Sequence, residues 1–147
     1  MDTKEEAEFR CKLAERYVEE TRKHLKNKEV VDTVRKAQLS VENGVKAIIA
    51  CFKLPSWSHD PSGELLEVLS ENSDKIEEIG VAFPERIKKA AKIASELAPE
   101  HGRTNYGEPI TRKTPWELYD KKYAKRALEG AEEVVKVARE FVDLWFS

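Results

Sequence analysis

The stretch Glu29–Lys53, EVVDTVRKAQLSVENGVKAIIACFK, decides the fold. It contains no proline, and its large apolar residues recur every three or four positions, the spacing of one face of an α-helix. These residues are Val30, Val34, Val41, Val45, Ile48 and Phe52. A second stripe consists of small residues, Ala37, Ser40, Gly44, Ala47 and Cys51. Small side chains let another helix approach closely, so we expect a long helix packed tightly against a neighbour.

The prolines divide the rest of the chain, because proline breaks a helix interior but is tolerated at its first turn. They lie at positions 55, 61, 84, 99, 109 and 115. The other predicted helices run from Thr3, as the cap of a capping box, to about Asn27, from about Leu65 to near Gly80, and from Pro84 to Ala98. The segments 54–61 and 99–113 are predicted to be loops.

The last predicted helix begins at Thr114-Pro115-Trp116-Glu117, which combines an N-cap, a proline at the first helical position and a capping-box glutamate. Its apolar stripe continues to about Phe146, for a length on the order of 45–48 Å. Alanines are spaced along it at positions 124, 127, 131 and 138. We expect these alanines to meet the small-residue stripe of the second helix within one chain. The alternative is that the stripe forms a subunit interface.

These patterns predict an all-α, elongated, up-and-down helical bundle of four to five helices, forming a single domain over residues 1–147. The 26 Lys and Arg nearly balance the 28 Asp and Glu, so the chain lacks the basic excess of a non-specific nucleic-acid binder. No apolar run reaches the ~18–20 residues of a membrane span, and the N-terminal stretch from Met1 is unlike a signal peptide. We therefore expect a cytoplasmic protein without membrane contact, whose Cys11 and Cys51 are buried free thiols.

Three features together resemble the HEPN domain family. They are the helix segment Arg35-Lys36-Ala37-Gln38-Leu39-Ser40-Val41-Glu42-Asn43-Gly44-Val45-Lys46-Ala47, the following Ser58-His59 before Leu65, Leu66 and Leu69, and the alanine-spaced last helix. The resemblance implies a small bundle that often forms a homodimer. It also implies a partner, since many such domains are encoded beside a minimal nucleotidyltransferase in toxin–antitoxin pairs, and some are ribonucleases.

The ribonuclease members share an Arg followed roughly four to six residues later by a His. Here the best-placed Arg is Arg103, and the positions where the His would fall hold Glu108, Pro109 and Ile110. RNA cleavage without a metal needs a proton acceptor and a proton donor that titrate near neutrality, and a carboxylate does so only if its pKa is strongly raised. The motif is therefore incomplete, and catalysis is not the first expectation.

In an up-and-down bundle the connections after the second and fourth helices emerge at the same end, so two polar loops should come together. One carries Trp57 and His59; the other carries His101, Arg103, Asn105 and Tyr106. Aromatic, Arg and Asn side chains are those that stack on bases and bind phosphate or base edges, and either histidine could replace the missing one. The alternative is structural, with Trp57 and Tyr106 closing the end of the bundle and His59 capping the next helix.

Glu42 and Lys46 match polar positions of the family pattern and join this candidate nucleotide- or RNA-binding set, although alone they are an ordinary helix-surface pair. The histidines His24, His59 and His101 show no metal-ligand spacing, and the sequence contains no glycine-rich phosphate loop, so we expect no metal and no cofactor.

Three functions follow from these observations. The first is a nucleotide- or RNA-binding protein that acts with a nucleotidyltransferase, with Tyr106 as a residue that the partner modifies. The second is a dimeric interaction module that assembles through the small-residue stripe and Leu144-Trp145-Phe146. The third is a divergent metal-independent ribonuclease that uses Arg103.

Overall fold

The computed structural model describes residues 3–147, and within that range the chain is helical without a strand. The helices are α1 (Thr3–Lys26), α2 (Val30–Ala50), α3 (Ser62–Glu71), α4 (Ser73–Ile79), α5 (Phe83–Leu97), α6 (Glu100–Tyr106), the single turn α7 (Pro115–Leu118) and α8 (Lys121–Trp145). The all-α prediction is confirmed. The predicted number of four to five helices is wrong, because residues 3–147 form seven helices and a single-turn helix. Met1 and Asp2, whose sequence was contrasted with a signal peptide, lie outside the described residues.

Two predicted helices are each divided in two. The third breaks at Asn72, where φ is −127° and the side-chain amide donates a hydrogen bond to the Val68 carbonyl, 2.9 Å away. The last helix breaks after α7, where Tyr119 and Asp120 are extended. The predicted capping box of Thr114 and Glu117 forms but caps only α7. The side chain of Asp120 then accepts a hydrogen bond from the Tyr123 amide and starts α8.

The segment after Pro99 was predicted to be a loop, but residues Glu100–Tyr106 form α6. Pro99 precedes the first turn of this helix, a position where its missing N–H costs nothing. The helix ends at Gly107, whose φ is +73° and where a Cβ would lie 2.2 Å from the Lys113 carbonyl oxygen. Only glycine fits both the conformation and the space there. At the other end of the chain, Thr3 is itself helical rather than a preceding cap.

α2 lies between α1 and α8, and its small residues face both neighbours. A Cβ on Gly44 would come 2.9 Å from the Cγ1 of Val134 in α8, so the two helices touch at that point. The Ser40 hydroxyl donates a 2.8 Å hydrogen bond to the carbonyl of Ala14 in α1. The prediction that the stripe packs within one chain is therefore confirmed. Its alternative, a subunit interface, is wrong because the stripe is buried inside the bundle.

The apolar core draws on α1, α2, α3, α4, α5 and α8. Cys11 and Cys51 are free and buried, as predicted, and burial raises the pKa of the Cys11 thiol to about 12. Trp145 stacks on Phe141 with ring centroids 5.7 Å apart and packs against the core. Its ring is therefore partly buried by contacts within the chain. Among the described residues, none of the helices is both long enough and apolar enough to cross a membrane.

Candidate functional site

Three polar residues of α2 form the base of the candidate site. Gln38, Glu42 and Lys46 follow one another at four-residue steps and are all buried, Lys46 being only 3% exposed. Lys46 Nζ lies 3.0 Å from Glu42 Oε2, and Gln38 Nε2 donates to Glu42 Oε1 at 3.1 Å. The interpretation of Glu42 and Lys46 as a surface pair is therefore wrong. They form a buried ion pair, which is costly unless every polar group is satisfied.

Two histidines lie over this base. His59 Nδ1 is 3.1 Å from Glu42 Oε1, and His101 Nδ1 is 3.2 Å from Gln38 Oε1. The two imidazole rings stack with centroids 3.6 Å apart and planes 18° apart. The segment 51–61 and α6 therefore meet, as the bundle topology predicted, although they meet beside the middle of α2 rather than beyond its end. We call Gln38, Glu42, Lys46, His59 and His101 the Glu42 cluster.

The hydrogen bonds of the Glu42 cluster determine which way its groups face. Burial raises the pKa of Glu42, but hydrogen bonds from Gln38, Lys46 and His59 outweigh that effect and hold the pKa below its ordinary value. An ionised carboxylate only accepts hydrogen bonds, so Gln38 turns its amide nitrogen to Glu42 and its oxygen to His101. Both histidines then donate through Nδ1–H. In the neutral imidazoles this leaves the Nε2 lone pairs free.

Arg103 belongs to a different cluster, on the other side of α6. Its guanidinium donates to Glu100 Oε1 at 3.1 Å, and this carboxylate also accepts hydrogen bonds from Tyr119 at 3.0 Å and Tyr123 at 2.5 Å. Glu100 is buried, whereas the Arg103 side chain is 40% exposed. Burial raises the pKa of both tyrosines, and the charge of Glu100 and its hydrogen bonds raise it further. We call Glu100, Arg103, Tyr119 and Tyr123 the Glu100 cluster.

Three other predicted site residues, Trp57, Asn105 and Tyr106, are exposed on the two segments that carry His59 and His101. Asn105 donates its side-chain amide to the His101 carbonyl at 3.0 Å. Trp57 and Tyr106 are 93% and 86% exposed, so the alternative that they close the end of the bundle is wrong. His59 forms a hydrogen bond with Glu42 and does not cap α3. At the start of α3 the carboxylate of Asp60 instead accepts a hydrogen bond from the backbone N–H of Ser62.

Glu108 does not replace the missing histidine of the ribonuclease motif. The backbone N–H and the hydroxyl of Thr111 donate to its carboxylate at 2.6 and 2.9 Å. The backbone hydrogen bond from Thr111, followed by that from its hydroxyl, lowers the pKa of Glu108. An ionised carboxylate cannot donate the proton that the leaving oxygen needs.

Sequence reasoning missed Gln38 and the grouping of Glu42, His59 and His101, which offer ligand atoms within 4.8 Å of one another. These three residues come from α2, the segment 51–61 and α6, so no local spacing reveals them. The available signal was a run of polar residues at four-residue steps inside the apolar part of α2. Such residues must find polar partners from elsewhere in the chain.

The chain is thus a helical bundle with a buried polar cluster at the side of α2. The family model of the HEPN domain matches residues 7–141, and the chain belongs to the HEPN domain family. The resemblance stated from the sequence is thereby confirmed, and it indicates a helical protein whose function concerns nucleotides or RNA. No curated protein and no solved structure matches the chain.

Proposed function

We propose that this HEPN protein binds a nucleotide or a segment of RNA at the surface formed by the segment 51–61 and α6. The observation that supports the proposal is the ring contact between His59 and His101, which joins the segment 51–61 to α6. We call the exposed part of this region, with Trp57, His59, His101, Asn105 and Tyr106, the histidine surface.

The residue types of the histidine surface support this ligand. Trp57 and Tyr106 are exposed aromatics, one on each segment, and base–aromatic stacking contributes about 1–3 kcal/mol per base. His59, whose side chain is 57% exposed, can bind phosphate, and Asn105 can bind a base edge. Arg103 has five N–H donors, of which the bond to Glu100 uses one, so its exposed guanidinium can also pair with phosphate. Glu42 and Lys46 are buried beneath the histidine surface and would contribute by orienting the imidazoles.

The family resemblance supplies the proposed biological setting. The protein would act in the cytoplasm as a homodimer and as the partner of a minimal nucleotidyltransferase in a toxin–antitoxin pair. Tyr106 would be the residue that the partner modifies, and its exposure leaves the hydroxyl accessible. Intact-mass and peptide mass spectrometry after co-expression with the neighbouring genes tests this part. Unmodified Tyr106 would count against it.

The binding proposal is tested by the thermal stability of the purified protein with mono- and dinucleotides and a short RNA. A ligand that binds only the folded state raises stability by about 2.7 kcal/mol at a hundredfold excess over its dissociation constant. We expect this stabilisation to be lost in His101→Gln and weakened in Arg103→Ala. The matched control is His24→Gln, because His24 pairs with Glu29 at the α1–α2 turn and not with the partners of His59 and His101. No shift with any ligand would favour a dimeric interaction module without a nucleotide ligand.

Metal-independent RNA cleavage is the second candidate function, and the oriented imidazole pair favours it. Glu42 fixes the ring of His59 and Gln38 fixes that of His101, as a positioned acid–base pair requires. One imidazole would take the 2′-hydroxyl proton, and the other, protonated, would give a proton to the departing 5′ oxygen. A cleavage assay with a labelled RNA in excess chelator checks this, and activity that survives in His59→Gln and His101→Gln would exclude it.

A further inference from the structure

We infer that Glu42, His59 and His101 form a binding site for one divalent transition-metal ion of the zinc type. One ligand atom from each residue lies within 4.8 Å of the other two. Two imidazoles and a carboxylate are ligands that suit zinc, nickel and copper, whereas magnesium and calcium prefer oxygen ligands alone. The inference goes beyond nucleotide binding and does not depend on it.

The distance between the first two ligand atoms already suits a shared ion. His59 Nδ1 and Glu42 Oε1 are 3.1 Å apart. Two ligands each about 2.0–2.1 Å from zinc have this separation when they subtend an angle of roughly 100° at the metal, close to tetrahedral. An ion would therefore take the place of the proton between His59 Nδ1 and Glu42 Oε1, with the neutral imidazole carrying its proton on Nε2 instead, once the ring of His59 has turned.

His101 supplies the third ligand, and Gln38 orients it. Because Gln38 Oε1 accepts from Nδ1 of His101, the free lone pair of this imidazole is on Nε2. A metal-binding histidine characteristically donates its other ring nitrogen to an oxygen in this way, and such support is worth 10–100-fold in affinity in general. The hydrogen bond to Gln38 thus leaves Nε2 as the nitrogen of His101 that is available to a metal.

One ring must turn for all three residues to bind the same ion. A metal lies in the plane of each imidazole it binds, and the two rings are stacked nearly parallel. His59 is the ring that turns, because its side chain is 57% exposed and lies on the irregular segment before α3. This movement would break the ring stack and leave Lys46 on the other oxygen of Glu42.

The buried ammonium of Lys46 limits the affinity of the proposed site for a metal ion. Its ammonium, 3.0 Å from Glu42 Oε2, already neutralises the carboxylate, so a bound ion adds positive charge beside a buried cation. Removing that charge with Lys46→Met should strengthen metal binding, since the ion would then be the partner of the buried carboxylate. A purely adventitious surface site would not respond in this direction.

The test uses the full chain, stripped of metal with a chelator and free of nucleotide, titrated with Zn²⁺ in calorimetry and followed in thermal unfolding. We expect one equivalent to bind and to raise the melting temperature, and Mg²⁺ to do neither. Cobalt substitution reports the ligand set by its visible absorption. His59→Gln and His101→Gln should each weaken binding more than about 100-fold, since loss of a ligand exceeds loss of its supporting residue.

His24→Gln is the matched control, because His24, Glu29 and Asp32 form the other group with closely spaced ligand atoms among the described residues. Wild-type affinity in His24→Gln supports the inference. No zinc binding by the wild type, binding that persists in His101→Gln, or binding lost in His24→Gln would overturn it. Because nucleotide is absent, these outcomes are independent of the fate of the proposed function.

Discussion

Glu42 of α2 and Glu100 of α6 are both buried carboxylates, but they are satisfied in different ways. Glu100 is bound by two tyrosine hydroxyls and a guanidinium. Glu42 is neutralised by the buried ammonium of Lys46, and the half-exposed ring of His59 covers its other side. The Glu100 cluster is therefore closed by large side chains of its own chain. The Glu42 cluster opens to the surface through imidazoles.

This difference between the partners of Glu42 and Glu100 indicates which polar cluster can bind a ligand. In the Glu100 cluster, the hydroxyls of Tyr119 and Tyr123 donate to Glu100 and tie α6 to the end of α7 and to α8, and Arg103 donates from within α6. In the Glu42 cluster, each imidazole can donate a proton or offer a lone pair to a ligand, because a neutral histidine ring is both donor and acceptor. A buried, saturated carboxylate indicates a structural role, whereas one that orients half-exposed histidines indicates a candidate site.

The largest effect is expected from Glu42→Leu. This change leaves the Lys46 ammonium buried without its partner, and breaking a buried pair in this way costs about 3–5 kcal/mol. Urea unfolding followed by circular dichroism measures the loss. The double variant with Lys46→Met removes both charges of this buried pair and should recover most of the lost stability. A Glu42→Leu protein as stable as the wild type would show that Lys46 reaches water easily and would remove the difference between the two clusters.

Glu100→Leu should cost less, about 1–3 kcal/mol, which is the range for leaving buried hydrogen-bonding groups unsatisfied. Its effect is smaller because Arg103 is already 40% exposed and can turn fully into solvent. The same urea unfolding measurement applies. A cost above that of Glu42→Leu would reverse the proposed order of the two clusters.

Tyr123→Phe removes one of the hydroxyls on Glu100 and should cost about 0.5–1.5 kcal/mol, the net value of a typical hydrogen bond. Spectrophotometric titration tests the same contact, because the raised pKa of Tyr119 and Tyr123 should delay their ionisation beyond that of an ordinary tyrosine. The stability that these groups contribute is present below the unfolded pKa of about 10 and is lost as the pH rises above it. Simultaneous ionisation of every tyrosine would contradict the Glu100 cluster.

His59→Gln should change the free energy of unfolding least, by about 0.5 kcal/mol or less, as is usual for exposed positions. Its effect should appear instead in ligand binding, where the wild-type shift with nucleotide is reduced. The stability variant Tyr123→Phe should show the converse, a lower melting temperature with an unchanged nucleotide shift. If both variants lose ligand binding equally, the division into a structural and a functional cluster is wrong.

The fold could be predicted from the sequence wherever local rules act alone. The apolar period of α2, the close approach at Gly44 and the capping box at Thr114 all form as expected. The break at Asn72 was missed because asparagine is only mildly unfavourable in a helix. α6 was missed because Pro99, Gly102 and Gly107 are typical of a loop. In the structure Pro99 precedes the helix, Gly102 lies on its surface and Gly107 ends it.

The candidate site was predictable in part. Topology alone placed His59 near His101. It also included Arg103, which lies two residues after His101 in α6 but faces Glu100. The burial of Lys46 was missed because lysine is rarely buried, and only the three-dimensional packing shows that Glu42 is there to pair with it. The metal-ligand group joins three distant segments, and such an arrangement has no signature in local spacing.

The close contact of Gly44 with Val134 also bears on how the chain folds. α1 and α2 are consecutive and share the most extensive packing in the bundle, so their contacts close only short loops and should form early. The Gly44–Val134 contact joins the second helix to the last one and requires most of the chain to be in place. A bulky residue at Gly44 should therefore accelerate unfolding more than it slows folding, and the arms of a denaturant chevron would show which rate has changed.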